Sequence, residues 1–163
     1  MSKGREIRCY DYVNHPYEQV RDALSGDAPT VFRAATRAAS SRVQSVASEL
    51  RVAIGALEVS ADIAISVNKV EERPRESNNP ASTRLELEWK AAKSPRLFPF
   101  MRAVLSIYPL TATETQLDFS GRYEPPLGAL GSAVDAVVGH RIAEASVHGF
   151  LKDVARHLRT ALA

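Results

Sequence analysis

A single cysteine, Cys9, in 163 residues rules out an internal disulfide and any cysteine-based metal cluster. It lies in a short run of strand-forming residues with no adjacent histidine, so it reads as a small packing residue rather than a nucleophile. An excess of one charge is also missing. Lys and Arg number 21 against 19 Asp and Glu, a formal net charge of +2, and the arginines are scattered. That distribution argues against a nucleic-acid partner. No uninterrupted apolar stretch approaches membrane-spanning length, which excludes a transmembrane helix. The first residues, Met-Ser-Lys-Gly-Arg-Glu, carry no apolar run of the secretory kind, so a cytoplasmic location is the default expectation.

What is present is the composition of a globular protein, 45% hydrophobic and 25% charged, long enough to bury a core as one domain over residues 1–163. Residues 5 to 13 predict a first strand. Asn14-His15-Pro16 opens a short helix with Tyr17, Val20 and Leu24 on its apolar side, closed by Ser25-Gly26-Asp27. A second helix is expected from Pro29, with Phe32, Ala35, Ala39, Val43, Val46 and Leu50 on one face. Leu50 to Ile54 and Val59 to Val67 then read as a hairpin about Gly55, the second strand marked by alternation of Val59, Ala61, Ile63, Ile65 and Val67. Residues 73 to 82 (R-P-R-E-S-N-N-P-A-S) form a loop. Leu85, Leu87 and Trp89 alternate with Glu86, Glu88 and Lys90 in the cleanest amphipathic strand, and Met101–Tyr108 and Thr115–Tyr123 add two more. Grouped helices and strands joined by short turns predict an α+β fold with an antiparallel sheet, covered by a long C-terminal helix.

That helix has a stripe at helical spacing: Ala136, Gly139, Ala143, Val147, Phe150, Val154, Leu158 and Ala161. Its first half is small and its second half large, so the pattern predicts space between sheet and helix near the small residues. The opposite face carries Lys152, Arg156 and Arg159 late in the helix. Early in the helix it carries Val134, Val138, Ile142 and Ala145, which predicts cover by a loop or by a second copy of the chain. His140, Glu144 and His148 follow at four-residue steps along one edge. A zinc site needs a fourth ligand that the sequence does not offer, so these residues read as His–Glu pairs on a polar edge, with no metal and no cofactor.

The element order, the segment G-R-Y-E-P-P-L-G-A-L-G-S-A-V-D and the closing helix through Phe150-Leu151 resemble the START-like, pollen-allergen-like helix-grip superfamily, also called SRPBCC or polyketide cyclase/dehydrase-like. Tyr123-Glu124-Pro125-Pro126 with Gly128 and Gly131 is the most specific part of the match. The resemblance implies a seven-stranded antiparallel sheet curled around the C-terminal helix, with two short helices after the first strand. It also implies a cavity for a lipid, sterol or polyketide-like molecule.

On this reading the cavity wall includes Ile63, Leu87, Trp89, Met101, Leu105, Phe119 and Tyr123 from the strands, with Ala136, Gly139 and Ala143 from the helix. Tyr123 and the Trp89 indole N–H are its main polar handles. Three functions follow from this wall. The first is binding or carriage of a hydrophobic small molecule without chemistry. The second is a cyclase/aromatase-like enzyme using Tyr123 with Asp11 or another group of the first strand, which requires a buried carboxylate or histidine beside Tyr123. The third is an interaction module with a collapsed cavity.

Overall fold

A computed structural model of the chain describes residues 5–54, 63–91, 100–124 and 132–162, except for the side chains of residues 5, 25–29, 40, 43–54, 63–64, 90–91, 100, 124, 132–139 and 142. The elements are β1 (Arg5–Val13), α1 (Tyr17–Ile54), β2 (Ile63–Arg73), β3 (Ser82–Ala91), β4 (Phe100–Thr111), β5 (Glu114–Glu124) and α2 (Ser132–Leu162). The strands form one antiparallel sheet in the order β1-β5-β4-β3-β2. The first strand thus closes against the last, and β2 lies at the far edge.

Alternation decides which face is covered. Leu85, Leu87 and Trp89 of β3, Met101, Ala103, Leu105 and Ile107 of β4, and Leu117, Phe119 and Tyr123 of β5 are all buried. Glu86, Arg102 and Arg122 point the other way and are exposed. Against the apolar face lies α2, which buries Ala143, Val147, Phe150, Val154 and Leu158 from the expected stripe; Ala161, at the end, is exposed. A column of aromatic rings ties the layers together. Phe32 of α1 stacks on Phe150 of α2 at 5.9 Å, Phe150 meets Trp89 of β3 edge-on at 4.7 Å, and Trp89 meets Phe119 of β5 at 5.7 Å. Such pairs contribute about 0.5–1.5 kcal/mol each beyond the area they bury.

The segment after β1 departs from expectation. Residues 17–54 form one helix of 38 residues, not two shorter helices, and the strand expected at Leu50–Ile54 is its last turn. The Ser25-Gly26-Asp27 stop is overridden because Tyr17, Val20, Leu24, Val31, Ala35 and Ala39 bury one continuous face, and burial outweighs local propensity. Leu50–Ile54 is an apolar run too short to separate helix from strand by pattern. The described residues hold five strands rather than the seven expected. Val59 and Ala61 lie outside them, and Ile63 opens β2. The alternation of β2 also slips at a bulge between Val67 and Lys69, which leaves Val67 and Val70 exposed at the sheet edge. The loop after β2 is an ordered turn in which Glu76 and Asn79 exchange backbone hydrogen bonds of 3.0 and 3.1 Å.

Helix α1 covers a second side of α2. A Cβ placed on Gly149 would stand 3.0 Å from the Ala38 carbonyl oxygen and 3.2 Å from the Ala39 Cα. The glycine therefore permits a close helix crossing. Ala145, one turn earlier on the same face and 8% exposed, belongs to the apolar patch for which a loop or a second subunit was expected. The side chains of Val134, Val138 and Ile142 lie outside the described residues.

Candidate functional site

Three strands set one row of the covered face: Trp89 of β3 pairs with Met101 of β4, which pairs with Tyr123 of β5. All three side chains are buried. In the next row Ala103 pairs with Gly121. A Cβ on Gly121 would stand 2.7 Å from the Met101 Sδ, so the thioether lies over the missing side chain.

Two polar groups sit in this apolar row, and they are provided for differently. The Tyr123 hydroxyl is 2.7 Å from the His140 Nδ1. The other ring nitrogen of His140, Nε2, is 3.3 Å from a Glu144 carboxylate oxygen, and the second oxygen of Glu144 is 3.9 Å from the His148 Nε2. The His148 Nδ1 in turn is 3.7 Å from the Cys9 Sγ on β1. A chain of polar contacts thus leads from a fully buried phenol to imidazole and carboxylate groups that are about half exposed. The four-residue spacing of His140, Glu144 and His148 on α2 creates the outer part, and the position of Tyr123 on β5 supplies the buried end. By contrast the Trp89 Nε1–H is buried and has no hydrogen-bond partner among the described residues. A buried donor without an acceptor costs about 1–3 kcal/mol.

Of the wall residues read from the sequence, Leu87, Trp89, Met101, Leu105, Phe119, Tyr123 and Ala143 are brought to one buried face. The side chains of Ile63, Ala136 and Gly139 lie outside the described residues. From Ala143 onward α2 is packed against sheet and α1. Asp11, the expected partner of Tyr123, is elsewhere. It pairs with Leu117 while Tyr123 pairs with Arg5, six residues and roughly 20 Å along the strand. Its carboxylate instead receives a 2.8 Å hydrogen bond from Arg159, whose guanidinium also donates to the Tyr12 carbonyl. The histidine that stands beside Tyr123 is His140. Helical spacing had placed it on an edge; the way that edge turns toward the end of β5 is tertiary information.

Cys9 lies half-buried on β1. Burial, followed by the charge of Asp11, pushes its thiol above the ordinary range. Among the described residues no group of three His, Cys, Asp or Glu is arranged to hold a metal ion, and no helix is long and apolar enough to cross a membrane. A groove of about 810 Å3 lies at the opposite end of the sheet, lined by Tyr17, Arg75, Asn78 and Pro109 among others. It is open and remote from Tyr123, since Pro109 of its lining pairs with Thr115 at the other end of β5.

The antiparallel sheet, with its first strand beside its last, and the long C-terminal helix packed on it superpose on a solved protein. The Zhui aromatase/cyclase from Streptomyces sp. R1128 superposes with a TM-score of 0.52 at 12% identity, over 98% of this chain and 96% of that one. The chain has the helix-grip fold. A START superfamily protein from Mycobacterium smegmatis (TM-score 0.48, 11% identity, 97% and 99% of the two chains) is also similar. So is norcoclaurine synthase from Thalictrum flavum (0.48, 8%, 100% and 99%). No protein-family model matches the chain, and no curated protein sequence does. At such identities the helix-grip likeness concerns the fold alone, and chemistry has to be argued from the residues.

Proposed function

We infer that the protein binds a hydrophobic small molecule at the Trp89–Met101–Tyr123 end of the covered face. The observation that carries this reading is the Trp89 indole: a buried N–H with no acceptor among the described residues, set among apolar side chains. A ligand oxygen that accepts this hydrogen bond recovers the desolvation cost, while the surrounding apolar wall supplies affinity through burial. The ligand class is an apolar ring or chain carrying at least one acceptor oxygen. Neighbouring Met101, an adaptable side chain, suits a wall that adjusts to its contents.

Native mass spectrometry of the purified protein tests the reading, together with titration of the delipidated protein with 1-tetralone followed by the fluorescence of Trp89, the sole tryptophan. The expected result is a small organic adduct released on denaturation, or saturable quenching by the ketone. Absence of both contradicts the reading.

A further inference from the structure

We propose that a second copy of this chain adds to the open edge of β2, in an antiparallel pairing centred on Val70, so that two sheets join across a two-fold axis.

Strand β2 ends the order β1-β5-β4-β3-β2, so its outer backbone edge meets no strand among the described residues. Such an edge offers a row of N–H and C=O groups to another strand. Its apolar side is unfinished as well. Val67 pairs with Leu87 and Val70 with Leu85, so both valines continue the apolar face of the sheet. Leu85 and Leu87 are buried there, whereas Val67 and Val70 are 38% and 56% exposed.

Charge decides what can pair. A two-fold axis between antiparallel strands sets one residue directly against its own copy. Beyond the bulge β2 reads Lys69-Val70-Glu71-Glu72-Arg73. Centring the axis on Lys69, Glu71, Glu72 or Arg73 puts two like charges face to face, which opposes pairing. Val70 is the uncharged residue of the five. With the axis there, Val70 packs on the partner's Val70, and Lys69 of each chain lies opposite the partner's Glu71.

The match extends one strand inward. Lys69 pairs with Glu86 of β3, and Glu71 with Arg84. Across the axis the outer face then runs Glu86, Lys69, the partner's Glu71 and the partner's Arg84, alternating in sign. Arg73 holds the Glu71 carboxylate at 3.0 Å and, with Lys69 and Arg84 adding less, keeps that carboxyl below its ordinary range, so the charge is present at neutral pH. Exposed ion pairs contribute little each. They select the register, while main-chain hydrogen bonds and the valine contact hold the copies together. The bulge on one side and Pro74 on the other confine the pairing to about five residues a side, against roughly 20–30 in a standard interface. The dimer is therefore reversible, with a Kd on the order of 10⁻⁴ M. Because the edge pairs with itself, assembly stops at two copies.

Sedimentation equilibrium of the full chain tests this. The wild type should follow a monomer–dimer equilibrium. Lys69→Glu sets carboxylates against carboxylates at both Lys69–Glu71 contacts, and Glu71→Lys sets ammonium groups against each other. Each alone should weaken the dimer about tenfold or more. An equimolar mixture of the two variants has opposite charges at both contacts and should dimerise as the wild type does. Val70→Lys, at an exposed position, should also abolish pairing. A wild type that stays monomeric up to about 10⁻³ M overturns the proposal. So do a dimer indifferent to Lys69→Glu and Glu71→Lys, a mixture that stays monomeric beside a dimeric wild type, and species that grow beyond two copies.

Discussion

The phenol of Tyr123 and the imidazole of His140, 17 residues apart and on different elements, meet at 2.7 Å. One is fully buried on β5 and the other faces outward from α2, so the pair connects the covered face of the sheet to the surface. The contact fixes a tautomer. In the neutral ring the proton should sit on Nε2, toward the Glu144 carboxylate, which places the bare Nδ1 toward the phenol. Nitrogen-15 shifts of the imidazole check this, and Tyr123→Phe should move the Nδ1 resonance. A proton found on Nδ1 of the neutral ring contradicts the direction of the hydrogen bond.

Gly149 should resist enlargement. Its Cβ position is bounded by the Ala38 carbonyl oxygen and the Ala39 Cα, backbone atoms that cannot rotate away. Gly149→Leu gains helix propensity of up to ~1 kcal/mol but forces α1 and α2 apart, for a net loss of about 1–3 kcal/mol. Urea denaturation measures it, and a rise in stability would show that the crossing is loose.

Phe150 is the middle of the ring column, touching both Phe32 and Trp89. Phe150→Ala should cost about 3–5 kcal/mol. The fluorescence of Trp89 should shift to the red as its neighbour disappears. A loss under 1 kcal/mol would mean the column is dispensable.

Cys9 should react slowly with iodoacetamide at neutral pH, because burial and the Asp11 carboxylate hold the thiol protonated. The linkage sign follows from the raised value. Its contribution to stability is fully present below the thiol's unfolded pKa and declines as pH rises through the higher folded value. Urea midpoints followed upward from pH 7 should therefore fall more steeply in the wild type than in Cys9→Ala. Parallel curves contradict the raised thiol pKa.

The strands with clean alternation were legible without a structure, and so was the stripe Ala143–Val147–Phe150–Val154–Leu158, because one-sided burial writes itself into spacing. What spacing could not convey is where two elements come together. Asp11 and Tyr123 lie on paired strands, yet the register of β1 on β5 separates them, and no local signal announces that register. His140 is polar and on a helix edge in any reading; its partner is chosen by how α2 crosses β5. The long α1 was hidden for a related reason. Ser25-Gly26-Asp27 is a valid stop locally, and only the core it bridges keeps the helix intact. That the indole N–H of Trp89 meets no acceptor among the described residues is likewise a property of packing, invisible in the alternation that placed the residue inside.

Ligand binding at this site requires that N–H to meet a ligand oxygen. With one tryptophan in the chain, the indole Nε1–H gives a single proton–nitrogen correlation. Titration with 1-tetralone should move that resonance downfield in a saturable way, while tetralin, the same skeleton without the carbonyl, should leave it nearly in place. A resonance that ignores the ketone at every accessible concentration, or that answers both compounds alike, would contradict the proposed site.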